Sequence, residues 1–120
     1  MRSVLVVSHG SRTPQTKQEV IGLVESLRQR LPGTILELAF LEMMEPSLET
    51  AVASLASTGA TEISIVPVFF GQGGHLRNDF PVLLEACQKQ HPNITLSATS
   101  AVGEDTAVLQ AIIDFGARSL

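Results

Sequence analysis

The sequence predicts an α/β protein of three layers, with a four-stranded parallel sheet between helices in the order βαβαβαβα. Short apolar runs alternate four times with amphipathic runs of helical spacing along the 120 residues. Runs this short and continuous are typical of strands that are buried on both faces. A strict alternation of strand and helix favours right-handed crossovers, which place helices on both faces of one sheet.

The first half of the chain contains two of these strand and helix units. Residues 4–7, Val-Leu-Val-Val, are predicted to form the first strand. Thr13 and Pro14 then match the N-cap and first turn of a helix. Residues 34–40 alternate in part between apolar and polar and predict the second strand, after which Pro46 is expected to open the second helix.

The second half repeats the pattern. Residues 61–70 are rich in Ile, Val and Phe and predict the third strand, and Asn78 or Asp79 is expected to cap the third helix. Residues 94–99 predict the fourth strand and residues 104–117 the last helix. The apolar face of that helix is expected to contain Val108, Leu109, Ile112 and Phe115.

Length, charge and composition exclude several classes of protein. A length of 120 residues predicts one domain over 1–120. Twelve acidic against eight basic residues give a net charge of -4, which argues against a nucleic-acid or membrane-surface partner. A single cysteine, Cys87, excludes an intrachain disulfide and cysteine-rich metal sites. The N-terminal apolar run is too short for a signal peptide or membrane span, so a cytoplasmic location is expected.

Polar residues and glycines concentrate after the predicted strands, where open α/β sheets bind their ligands. His9 follows the first strand, and His75 follows the third in the glycine-rich segment 71–79. In the common flavodoxin-like order these two strands are neighbours, so the histidines would face each other. Two imidazoles with a nearby carboxylate form a plausible open site for a divalent metal. Glu42 and Glu45 follow the second strand.

These residues also have structural interpretations. A histidine at a strand end is often a loop residue that only forms hydrogen bonds, and His91 fits a solvated helix end. Cys87 lies on an apolar helix face and is expected in the core. Glu42 and Glu45 are expected to be surface charges, because most glutamates are. Glu45 also fits a carboxylate that interacts with the dipole at the N-terminus of the second helix. The dinucleotide fingerprint, the phosphate-binding loop and the Gly-x-Ser-x-Gly nucleophile elbow are all missing from the sequence.

Three segments carry a resemblance to a known family. They are Val-Val-Ser-His-Gly-Ser-Arg at 6–12, Ala-Phe-Leu-Glu-Met-Met-Glu-Pro-Ser-Leu at 39–48, and Val-Pro-Val-Phe-Phe-Gly-Gln-Gly-Gly-His-Leu-Arg-Asn-Asp-Phe-Pro at 66–81. In order and spacing they resemble the small class II tetrapyrrole chelatases, the sirohydrochlorin cobaltochelatase and ferrochelatase family. The resemblance spans essentially the whole chain and implies the short, single-domain form.

The resemblance implies a lyase that inserts Co²⁺, Fe²⁺ or Ni²⁺ into sirohydrochlorin, for cobalamin or sirohaem biosynthesis. The metal is then a substrate, and no tightly bound cofactor is implied. His9 matches the metal-binding histidine that also accepts a pyrrole proton, and His75 matches the second metal-binding histidine. Substrate contacts are implied for Glu45, Phe70, Gly71, Gln72, Gly73, Gly74 and His75. The short form pairs as a homodimer around the tetrapyrrole.

Two arginines beside the histidines, Arg12 and Arg77, are candidate partners for the carboxylates of the tetrapyrrole. Phe69 and Phe70 are candidates for apolar contact with its ring, unless they pack in the core. Two other functions remain open at this point. One is a carrier that binds metal or tetrapyrrole at the same two histidines without turnover. The other is a flavodoxin-like regulatory or nucleotide-binding domain.

Overall fold

The computed structural model describes residues 2–70 and 75–120, and the side chains of residues 75–78 lie outside that description. In chain order its elements are β1 (Arg2–Ser8), α1 (Pro14–Arg30), β2 (Ile35–Phe40), α2 (Leu48–Ser57), β3 (Glu62–Val68), α3 (His75–Gln90), β4 (Thr95–Ala98), a 3-10 turn (Val102–Glu104) and α4 (Thr106–Ala117). Over the described residues, no helix combines the length and apolar character needed to cross a membrane.

The four strands form one parallel sheet in the order β2-β1-β3-β4. This confirms the predicted fold class and makes β1 and β3 neighbours. Ser8, the last residue of β1, pairs with Phe40 of β2 and with Val68 of β3. Three strands therefore end level with one another, and the loops that follow them meet at one edge of the sheet.

Each face of the sheet has its own apolar core because the side chains of a strand alternate between faces. Leu5 and Val7 of β1 pack with α2 and α3 on one face. Val4 and Val6 point to the other face, where Val24 of α1 packs on them. The carboxyl ends of the strands are therefore supported from both sides by helices.

The start of α2 differs from the sequence prediction. Pro46 does not open the helix, which begins at Leu48 after Ser47 as its N-cap. The hydroxyl of Ser47 accepts a hydrogen bond from the backbone nitrogen of Thr50 at 3.2 Å, so it satisfies one of the open donors of the first turn. Pro46 instead belongs to the preceding loop, where its carbonyl accepts a hydrogen bond from Phe40 N at 2.9 Å.

The start of α3 also differs from the prediction. Neither Asn78 nor Asp79 caps the helix, because it already begins at His75 and contains Pro81 within it. Proline removes one backbone donor from a helix and usually marks its first turn, so the sequence signal indicated a later start. Phe80, directly before this proline, and Cys87, beyond it, are both buried, which anchors the helix to the sheet on both sides of the proline.

The last helix, α4, does not form the expected cover over the sheet. The structure describes all of α4, and none of its residues is buried. Ile113 is 61% exposed and Phe115 is 71% exposed. The apolar face that the sequence predicted is present, but it lies on the surface of the chain.

Cys87 lies in the core, as the sequence predicted, and its side chain is 1% exposed. Burial raises the pKa of the Cys87 thiol, and the nearby carboxylate of Glu49 raises this pKa further. The reactive thiolate is therefore disfavoured in the folded chain. Because the thiol pKa is lower in the unfolded chain, the unfolded chain loses this proton at a lower pH than the folded chain does. The thiol therefore lowers the free energy of unfolding as the pH rises above the ordinary pKa of cysteine.

We expect iodoacetamide to alkylate Cys87 in the native protein at least about 100-fold more slowly than in urea at the same pH, because the thiol must be exposed before it reacts. Mass spectrometry of timed samples measures both rates. Equal rates with and without urea would contradict the buried position of Cys87.

Candidate functional site

The described part of the site is built around His9, which directly follows β1. Its Nε2 atom lies 2.9 Å from Oε1 of Glu42, and the two side chains are 53% and 50% exposed. Both groups are thus accessible to a ligand while they contact each other. A proton on Nε2 donates to the Glu42 carboxylate, which leaves the lone pair of Nδ1 for a metal ion or a proton.

The backbone fixes this side-chain pair. The pairing of β1 with β2 continues beyond the strands, since Leu41 N donates to Ser8 O at 3.0 Å and Glu42 N donates to His9 O at 3.1 Å. The second of these bonds joins the same two residues whose side chains meet. The separation between imidazole and carboxylate is therefore set by the sheet and not only by two mobile side chains.

Gly10 allows the two segments to approach. Its φ is +106°, and a Cβ atom at this position would lie 1.9 Å from the carbonyl oxygen of Glu42. Only glycine combines this backbone angle with such a close approach. Gly10 is thus required by the same contact that places His9 beside Glu42.

Glu45 lies at the same edge of the sheet, in the loop between β2 and α2. Its carbonyl oxygen accepts a hydrogen bond from Lys17 Nζ at 3.2 Å, and the Lys17 ammonium lies 5.9 Å from the centre of the Phe40 ring. These contacts hold the backbone of the loop against α1. The Glu45 side chain is exposed, and it takes part in none of the ion pairs found among the described residues.

The two phenylalanines after β3 have different environments. The ring of Phe69 packs edge-to-face on that of the buried Phe80, with 5.8 Å between ring centres, and Phe69 is half-buried. Phe70 is 69% exposed. The backbone of Phe70 lies close against Gly103, where an added Cβ atom would lie 1.7 Å from the Phe70 carbonyl oxygen. Of the two residues, Phe70 is the more accessible to a ligand.

The remaining predicted site residues are described in part. Arg12 is exposed in the loop after His9. Gly71, Gln72, Gly73 and Gly74 lie outside the described residues, as do the side chains of His75 and Arg77. The backbone of His75 begins α3, after β3, and β3 is the neighbour of β1. Among the described side chains, no group of three or more His, Cys, Asp or Glu is arranged to hold a metal ion.

Sequence reasoning placed Glu42 on the surface, where the structure has it, but missed the contact of its side chain with His9. The available signal was its position directly after a strand that neighbours β1. The flavodoxin-like strand order expected for His9 and His75 is the observed one, but strand order alone does not show which side chains are in contact. His91, by contrast, lies at the end of α3 as expected.

Comparison with known proteins gives one family match. The CbiX family model matches residues 3–115, nearly the whole chain. Among solved structures, the sirohydrochlorin chelatase SirB from Bacillus subtilis subspecies spizizenii, in complex with cobalt, superimposes with a TM-score of 0.84 at 28% identity. The match covers 98% of this chain and 50% of SirB.

Two relatives with assigned functions are similar in sequence. The sirohydrochlorin ferrochelatase of Bacillus subtilis is 29% identical over 111 residues, which are 92% of this chain and 42% of that protein. The sirohydrochlorin cobaltochelatase of Methanosarcina acetivorans is 36% identical over 86 residues, 72% of this chain and 66% of that protein. The chain thus spans less than half of the first relative and about two thirds of the second.

We expect Gly10→Ala to lower the free energy of unfolding by about 2 kcal/mol more than Gly59→Ala does, because Gly10 faces a backbone carbonyl and Gly59 does not. Gly59 is a matched control, since its φ is +94° and nothing lies within 4 Å of an added Cβ. Urea unfolding followed by circular dichroism measures both changes. Equal losses in the two variants would show that the contact with Glu42 does not constrain this position.

Proposed function

The chain belongs to the CbiX family, and from this premise we propose that it is a sirohydrochlorin chelatase that inserts a divalent metal ion into the tetrapyrrole. The observation that carries the proposal is the His9 and Glu42 pair, half exposed at the carboxyl edge of the sheet. The functions assigned to the relatives, which include both a ferrochelatase and a cobaltochelatase, support Co²⁺ and Fe²⁺ as metal substrates. Ni²⁺ is a further candidate, because imidazole binds all three ions.

The reaction needs a weak metal site and a base. Insertion forms bonds from the metal to the ring nitrogens and releases two pyrrolic protons. His9 binds the incoming ion through its available nitrogen and, after the ion has moved to the ring, accepts one of these protons at the same atom. The second proton passes to solvent. A site with few protein ligands favours this transfer, because a closed tetrahedral cage would retain the metal.

Glu42 positions His9 for this step. The carboxylate at 2.9 Å accepts a hydrogen bond from Nε2, which orients the ring and directs Nδ1 towards the substrate. When His9 takes up the pyrrolic proton, it becomes a cation next to this carboxylate.

In the proposal, further residues around this pair bind the metal and the tetrapyrrole. His75 provides the second metal ligand, since it begins α3 after the strand next to β1. Arg12 and Arg77 bind carboxylates at the rim of the tetrapyrrole. The proposed contacts with the ring are Glu45, Phe70, Gly71, Gln72, Gly73, Gly74 and His75. Phe70 is supported among them by its exposed ring.

We also propose that residues 1–120 form one chelatase-like domain, with no tightly bound cofactor, and that two copies associate as a homodimer. The family match over residues 3–115 supports the single domain. A cytoplasmic location stays a prediction from the sequence.

We expect His9→Ala to lower the rate of metal insertion at least about 100-fold, because it removes both a metal ligand and the base. His91→Ala is the matched control and should retain the wild-type rate, since His91 lies at the far end of α3. The assay is anaerobic mixing of the protein with sirohydrochlorin and Co²⁺ or Fe²⁺, followed by visible spectroscopy.

An insertion rate equal to that without protein would contradict the chelatase function. If the wild-type chain then still bound the tetrapyrrole, it would act as a carrier. If the wild-type chain is active and His9→Ala and His91→Ala insert metal at the same rate, the chelatase function stands. His9 would then have no part in its mechanism.

A further inference from the structure

Met43 has a backbone conformation that its residue type disfavours. Its φ is +67°, in the left-handed region that glycine occupies at little cost and that other residues rarely adopt. The side chain is 58% exposed, so packing against its own chain offsets only part of this cost. Met44, the next residue, is half-buried. Residues held in such a region concentrate at ligand-binding sites, where the surrounding structure fixes the chain at a cost in stability.

Contacts on both sides of Met43 fix the backbone that carries it. Before it, Glu42 N donates to His9 O at 3.1 Å, which attaches the loop to the end of β1. After it, the carbonyl oxygen of Glu45 accepts a hydrogen bond from Lys17 Nζ at 3.2 Å, which attaches the loop to α1. The place of Met43 is therefore set by the sheet and by α1, while its unbranched side chain can adapt to a ligand.

Met43 and Phe70 lie on opposite sides of His9 along the carboxyl edge of the sheet. β1 lies between β2 and β3, and the three strands end level with one another. Met43 follows β2 by three residues, His9 follows β1 by one, and Phe70 follows β3 by two. Neighbouring strands are about 4.8 Å apart, so the strands that carry the two apolar residues are about 10 Å apart. The imidazole thus has an exposed apolar side chain on each side.

This arrangement fits a flat conjugated ring that has apolar faces and carries its carboxylates at the rim. Aromatic rings and thioethers both pack favourably on such faces. Thioether sulfur favours soft metal ions, so Co²⁺ and Fe²⁺ are left to the imidazole. The chemistry of Met43 therefore suits the ring and not the metal.

We propose that Met43 is a substrate-binding residue whose side chain packs on the face of the tetrapyrrole, on the side of His9 away from Phe70. This inference rests on the chelatase function proposed above and adds a contact to it. The contact holds the ring beside His9 in the same way before and after the metal enters. It therefore raises the affinity for the ring without taking part in the transfer of metal or proton.

The test is titration of the whole protein with metal-free sirohydrochlorin, followed by visible absorbance, for three variants of Met43. Met43→Ala and Met43→Gly should each raise the Kd about 10-fold, because they remove the apolar contact. Met43→Leu should stay within about 2-fold of the wild type, because it keeps the apolar volume. In the insertion assay with saturating Co²⁺, the KM for sirohydrochlorin should follow the Kd while kcat stays unchanged.

Val82→Ala is the matched control, since Val82 is 66% exposed and lies in the middle of α3. It should leave the Kd unchanged. Binding by Met43→Ala and Met43→Gly as tight as that of the wild type would overturn the contact. Binding by Met43→Leu as weak as that of Met43→Ala would overturn the apolar packing, because it would assign the effect to the sulfur.

Urea unfolding of the same variants tests the strained backbone on which the inference depends. Met43→Gly should unfold at a higher urea concentration than Met43→Ala, because only glycine adopts this φ freely. The reverse order would overturn the strained placement of Met43.

Metal insertion by the wild-type chain decides the chelatase function separately. Insertion by the wild type together with unchanged binding by Met43→Ala would remove the contact and keep the chelatase. Weakened binding by Met43→Ala without insertion by the wild type would keep the contact and remove the chelatase.

Discussion

The candidate site depends on the continuation of backbone pairing beyond the ends of β1 and β2. Two hydrogen bonds, from Leu41 N to Ser8 O and from Glu42 N to His9 O, carry the sheet geometry into the loops. Gly10 makes this possible because any side chain there would meet the carbonyl of Glu42. The imidazole and carboxylate are consequently held together before a ligand arrives, which lowers the entropy cost of assembling the site.

Sequence reasoning identified the fold because its signals are local and repeated. Continuous Val and Leu at 4–7 and the helical spacing after Pro14 each indicate an element, and their alternation determines the parallel sheet. The starts of α2 and α3 were wrong because proline competes with other signals. Ser47, rather than Pro46, satisfies one of the open donors of α2. Pro81 lies within α3, which the buried Phe80 and Cys87 hold against the sheet.

The site was only partly predictable for a different reason. His9 could be identified because strand ends are where α/β sheets bind ligands. Its pairing with Glu42 depends on strand order and on a glycine with positive φ, and neither can be read from residue types alone. The exposed face of α4 is similar, since the same apolar spacing fits a helix that packs on its own sheet or one that stays on the surface. Its direction is set by the contacts of Gly103 and Asp105.

The central claim is that His9 and Glu42 act as one unit in metal insertion, and a double-mutant cycle tests it most directly. The insertion rate is measured for the wild type, for His9→Ala, for Glu42→Gln and for the double variant. If Glu42 acts through His9, Glu42→Gln alone lowers the rate about 10-fold, and the double variant is no slower than His9→Ala. A double variant slowed by the product of the two single effects would contradict the account, because it would show that the two side chains act independently.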